Sequence, residues 1–213
     1  MKQQSGFTLI EIAIVLVIIG LLLGGVLKGQ ELIENGKIKN VINDFNGISA
    51  AVNAYRDRYR ALPGDDNQAT ARGWAGSPNG NGNGQIAPGN PFTLGGENLN
   101  FWRHLRYAGL ISGDPTVAVV ATALPKNAYD GLVGVTQASA GVLGGLGPNL
   151  LCFGSLPGKA AGAVDTQLDD GNPGTGSIRA TVGASGSINV APGAAATSAR
   201  YNETLPYTVC RTL

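Results

Sequence analysis

The sequence predicts an α+β chain in which a long N-terminal α-helix is followed by a small antiparallel β-sheet head. Three observations carry this prediction. From Phe7 to Leu27 the chain is apolar with a single charge, Glu11, and about 20 such residues span a ~30 Å hydrocarbon core as a helix. After it, Ile38, Val41, Phe45, Ile48, Val52, Tyr55 and Tyr59 recur in alternating steps of three and four, which places them on one helical face. Beyond residue 61 lie most of the 33 glycines, among short β-branched or aromatic runs bounded by Gly, Pro, Asn and Asp, the pattern of short strands and turns.

Composition narrows the function. The 213 residues carry 15 Lys and Arg against 14 Asp and Glu, a net charge of +1. No basic excess is present to hold nucleic acid. Charged residues make up 14%, well under the ~25% usual in soluble proteins. One His and two Cys do not supply the four ligands of a structural zinc site. A Ser-His-Asp hydrolase would rest entirely on His104. The chain therefore reads as no enzyme, with no catalytic residue assigned.

The apolar run follows a polar leader, MKQQSG. A cleaved secretory signal has a shorter apolar core and a small-residue cut site after it; here the run ends in Gly24-Gly25-Val26-Leu27-Lys28-Gly29. A plain membrane anchor fits the length but leaves Glu11 to snorkel toward the interface, and an acid inside a span costs a few kcal/mol on insertion scales. Gly20 and Gly24, and Gly25 and Gly29, have the G-x-x-x-G spacing that lets helices approach closely. Gly is also simply frequent in membrane helices.

The string Gly6-Phe7-Thr8-Leu9-Ile10-Glu11, with its leader and long apolar run, resembles the processing and methylation site of type IV pilins and type II secretion pseudopilins. The resemblance implies a pilin-like lollipop fold. It implies cleavage between Gly6 and Phe7 by a prepilin peptidase, and N-methylation of Phe7. A glycine at the cut presents no side chain to a narrow protease cleft. Glu11, fifth after the cut, is implied to pair with the N-terminal ammonium of a neighbouring subunit during assembly. An acid is costly alone in an apolar medium and less so when paired, so it would sense axial register.

The expected organisation is a leader at 1–6, a transmembrane and filament-core helix at 7–27, an amphipathic helix docked on the head at 28–61, and a glycine-rich α+β head at 62–213. The stripe at 38–59 is short for a coiled coil, so docking on the head is the better reading. Pro63 and Gly64 stop the helix. A second helix is expected at 99–110, capped by Gly109, with His104 as a surface or satisfied side chain. Its FWxxLxxAGLI pattern resembles a segment of minor pilin-like heads. Strands are expected at 117–121, 132–135, 150–153, 177–182, 187–190 and 207–210. Residues 73–91, with NGNGNG at 79–84, read as a low-complexity loop, a mobile connection in preference to a partner contact.

Cys152 and Cys210 lie in strand-like runs. A head outside the cytoplasm meets an oxidising compartment, where they would form a disulfide; two buried thiols are the alternative. Asp165, Asp169 and Asp170 fall in AVDTQLDDGNPG. Their carboxylates offer a hard-oxygen Ca²⁺ site, while Asp-Gly-Asn-Pro-Gly is also ordinary turn chemistry. Asn202-Glu203-Thr204 fits N-x-T without other support for glycosylation.

The resulting expectation is a prepilin-like structural subunit of a type IV pilus or pilus-like filament, of minor or atypical kind. A type II secretion pseudopilin is the alternative within the class, and a non-polymerising, membrane-anchored periplasmic binding protein is the alternative outside it. Expected partners are the prepilin peptidase and methyltransferase, other pilin or pseudopilin subunits, the inner-membrane assembly platform and the membrane itself. The chain would cross the bacterial inner membrane once, head in the periplasm, and then enter a periplasmic or cell-surface filament.

Overall fold

The computed structural model describes residues 8–74, 76–93, 95–117, 123–138 and 141–213. The chain divides into two compact units, Met1–Lys37 and Ile38–Leu213. Helix α1 runs Leu9–Tyr59 over 51 residues and supplies residues to both. No proline interrupts it.

In the first unit α1 leaves large apolar side chains such as Leu9, Leu16, Leu21 and Leu27 exposed. Its apolar stretch is long enough to cross a membrane. In the second unit the stripe becomes core: Ile38, Val41, Phe45, Val52 and Tyr55 are buried, while Ile48 and Tyr59 pack against that core half-buried. The helix ends at Tyr59, earlier than Pro63 requires. Arg60 takes a left-handed conformation (φ 55°), and its N–H closes the last turn on the Arg56 carbonyl at 2.8 Å.

The head is built on four antiparallel strands: β1 Val133–Gln137, β2 Asn149–Pro157, β3 Ile178–Val182 and β4 Pro206–Thr212. Their order across the sheet is β1-β2-β4-β3. One face (Val133, Val135, Leu151, Phe153, Val209) joins the α1 stripe in the main core; Phe45 stacks on Phe153 with ring centroids 3.9 Å apart. The opposite face carries Leu150, Cys152 and Cys210 under Phe92, Leu143 and Leu146. The alternation follows from the two-residue period of a strand.

Helix α2 is Gly96–Tyr107, three residues earlier than expected, and buries Phe101, Trp102 and Leu105. Gly109 terminates it as expected: the Gly109 N–H donates to Arg106 O, and the Leu110 N–H to Leu105 O, both at 3.0 Å, the paired bonds of a Schellman cap. Helix α3, Gly158–Leu168, was not anticipated. The expected strand at 187–190 does not form; Asn189 turns left-handed (φ 47°), and its Oδ1 accepts the Leu132 N–H at 2.8 Å. The expected strand at 117–121 lies outside the described residues except for Val117, which is not in a strand.

Candidate functional site

The first functional element is the start of α1. Gly6 and Phe7, the expected cleavage and methylation positions, lie outside the described residues. The residues that follow them form a capping box. Thr8 stands just before the helix. Its N–H and its Oγ1 both donate to Glu11 Oε2 at 2.7 Å, and the Glu11 N–H donates to Thr8 Oγ1 at 3.3 Å. Two of the four N–H groups that a helix start leaves unpaired are thereby satisfied. The T-x-x-E spacing before an apolar run is a readable signal of this cap, and it identifies Thr8 as a residue that the reading of Glu11 alone overlooks.

Within the same unit, a side chain added at Gly20, Gly24, Gly25 or Gly29 would meet no atom within 4 Å. Among the described residues, these glycines pack against no other part of the chain. They thin the helix along surfaces open to another apolar body.

The second candidate is the acidic cluster of the head. Asp165, Asp169 and Asp170 do converge, each offering an oxygen within 4.8 Å of the others. Asp165, however, lies in α3 and is fully buried. It accepts the Tyr201 hydroxyl at 2.7 Å and the Gly171 N–H at 3.3 Å. Asp169 accepts the Ser177 and Ile178 N–H groups at 2.6 and 2.9 Å. Asp170 accepts the Asn172 N–H and the Thr175 hydroxyl. The three acids thus close their own loop, and a cation there competes with donors already in place. Burial pushes the Asp165 carboxyl up to about 6, against the pull of its Tyr201 and Gly171 hydrogen bonds.

Cys152 and Cys210 face each other across β2 and β4 and are joined by a disulfide. His104 is fully buried. Its Nδ1 accepts the Gly64 N–H at 2.9 Å, so it holds α2 to the chain leaving α1. Burial lowers its pKa to about 4, and the imidazole is neutral near pH 7. It is a structural partner within the core.

Residues 73–91 are not a plain connection. The segment 79–84 winds around Asp65, which is buried together with Asp66 and Glu97. Asp66 accepts the Tyr55 hydroxyl at 2.5 Å and forms an ion pair with Arg72. Arg72 also lies over the rings of Tyr59 and Trp74.

Comparison with known proteins bears on the first of these elements. Residues 1–27 match the family model described as the prokaryotic N-terminal methylation motif. That motif is the prepilin signature of type IV pilins and pseudopilins, a class of structural subunits, and it implies processing by a prepilin peptidase and assembly with other pilins. The apolar helix behind it fits membrane anchoring. A search of curated proteins finds no match to the chain.

Proposed function

We propose that the chain is a prepilin-like structural subunit, cut between Gly6 and Phe7, methylated on Phe7 and assembled into a type IV pilus or pilus-like filament as a minor or atypical component. The observation that carries this reading is the methylation motif over residues 1–27, joined directly to a helix whose apolar side chains stand exposed. Lipid and the core of a helical filament both exclude water. An exposed apolar helix therefore passes from one to the other without a large hydrophobic penalty.

The capping box gives Glu11 a defined part in that exchange. Both Thr8 bonds fall on Oε2, which holds the carboxylate at the helix tip whatever surrounds it. Oε1 is the oxygen that takes the methylated ammonium of a neighbour. A subunit in the wrong axial position leaves this charge unpaired in an apolar surround, a cost of several kcal/mol.

The test is the intact mass of protein sheared from native cells. The expected mass begins at a singly methylated Phe7, and the protein is recovered in filaments. Retention of Met1–Gly6 in every molecule, or recovery only as membrane-bound monomer, overturns the reading.

A further inference from the structure

Three buried carboxylates surround the asparagine–glycine loop, and one ion pair serves them. Asp65, Asp66 and Glu97 are 3%, 1% and 8% exposed, and among the described residues Asp66 alone has a cation, Arg72. Glu97 directs its carboxylate at the loop: Oε1 accepts the Asn81 N–H at 3.1 Å, while Oε2 is buried and accepts nothing among the described residues. A carboxylate more than nine-tenths buried with an unpaired oxygen is expensive. Asp65 and Glu97 have no ion-pair partner among the described residues.

The loop's own pattern points to the cation. Asn79-Gly80-Asn81-Gly82-Asn83-Gly84-Gln85-Ile86 has the spacing of a calcium loop, in which side-chain oxygens at positions 1, 3 and 5, a backbone carbonyl at 7 and a glycine at 6 define the turn. It departs from that pattern at both ends: position 1 is Asn79, and Asn90 stands where a closing Glu is usual. The structure replaces the first. Asn79 Oδ1 accepts the Thr70 N–H, and Asp65 brings a carboxylate from outside the loop. Asp65 accepts the Gly82, Asn83 and Gly84 N–H groups at 2.6, 3.1 and 2.6 Å, fixing positions 4 to 6. Gly82 and Gly84 are left-handed (φ 75° and 80°), as this winding requires. Asn81 Oδ1 accepts the Asn83 N–H, and Asn83 Oδ1 the Gln85 N–H. Each amide oxygen keeps a second lone pair.

We propose that Asp65, Asn81, Asn83 and the Gln85 carbonyl form a Ca²⁺ site, completed by water, with Glu97 supplying charge behind the loop. This inference is independent of filament assembly and of the Asp165 cluster. Access is through a cleft of about 450 Å³ lined by Asp65, Asn67, Gly82 and Gly84, with Arg56 and Arg60 on its other wall. Those arginines and the neutral amides put the site in the weak class, with a Kd of about 0.1–1 mM, as in extracellular modules.

The test uses the full chain in detergent micelles, stripped with chelator and titrated with CaCl₂ or MgCl₂ by calorimetry and thermal melting. Ca²⁺ is expected to bind in that range and raise Tm, with Mg²⁺ weaker because it demands tighter octahedral geometry. The double variant Asn81→Ala, Asn83→Ala, which alters two exposed side chains, is expected to lose at least about tenfold in Ca²⁺ affinity. Asn83→Asp keeps the turn, adds a charge and is expected to tighten binding by about tenfold. Asp170→Asn leaves both readouts unchanged. Absence of Ca²⁺ heat and of any Tm rise in the wild type overturns the site. So does an affinity that Asn83→Asp leaves unaltered, or one that Asp170→Asn abolishes.

Discussion

At the scale of single residues, Glu11 has two duties that substitution separates. Its carboxylate caps α1 through Thr8, and its charge is the proposed register sensor. Gln at the same position still completes a capping box but carries no charge. Glu11→Gln is therefore expected to leave cleavage and the helix start intact while sharply lowering the yield of sheared filaments. Thr8→Ala is the converse: it costs about 1 kcal/mol at the helix start, read as faster amide exchange at residues 9–11, and keeps the charge and the filaments. Wild-type filament yield from Glu11→Gln would remove the sensor. Two other buried residues set an acid response in the head. His104 falls from its usual 6.5 to about 4, so between those values the unfolded chain binds a proton that the folded one refuses. Stability drops as pH falls through that window, by roughly 3 kcal/mol at most. Asp165 rises from 3.8 to about 6, so its contribution is present below pH 3.8 and is lost as pH rises through 6. The two slopes oppose each other between pH 4 and 6. Asp165→Asn is expected to keep the Tyr201 bond and steepen the acid loss of Tm measured across pH 4 to 7. An unchanged slope would contradict the assignment.

At the scale of elements, the docked part of α1 and the sheet hold each other. Phe45 is fully buried against Phe153, and Phe45→Ala is expected to cost about 3–5 kcal/mol of head stability, measured by denaturant unfolding in micelles. Cys152 and Cys210 tie neighbouring strands β2 and β4 across a sequence separation of 58. Their joint replacement by Ala is expected to cost about 2–5 kcal/mol. What the sequence made legible here was periodic. The stripe from Ile38 to Tyr59, the runs that became β1 to β4, and the Gly109 cap all carry their structure in local spacing. Helix α3 carries only a faint version of this: in GKAAGAVDTQL the residues Ala161, Val164 and Leu168 fall at helical spacing, but the run is short and mostly small residues, and no side chain caps its start. The 79–84 loop was opaque for a related reason. Low-complexity composition suggests a slack connection, whereas its order comes from Asp65 and Glu97, far enough away in sequence that no local pattern reports them. The candidate site at the start of α1 was readable because leader, Gly6, Phe7 and Glu11 occur in order within a few residues, and the T-x-x-E spacing that marks the Thr8 cap is equally local.

At the scale of the whole molecule, the question is what commits a subunit to leave the bilayer. The helix alone does not, because lipid satisfies its exposed apolar side chains as well as a filament does. The leader decides. While the leader remains attached, Phe7 has no free ammonium, and on the proposed function Lys2 within the leader favours the aqueous cytoplasmic side. On that reading, a neighbour's Glu11 would then meet an uncharged peptide bond at Phe7 in place of an ammonium. On the proposed function, cleavage would create the missing charge at the helix tip and remove the polar leader in one step. Blocking it is accordingly predicted to block assembly without disturbing either folded unit. Gly6→Val places a branched side chain at the cut, where glycine has none. The variant is expected to keep its leader by mass spectrometry, to remain in the membrane fraction, and to retain the wild-type melting temperature of the head. Uncut chains found in sheared filaments at wild-type levels would show that the ammonium does not drive register, and would break the link between processing and assembly on which the proposed function rests.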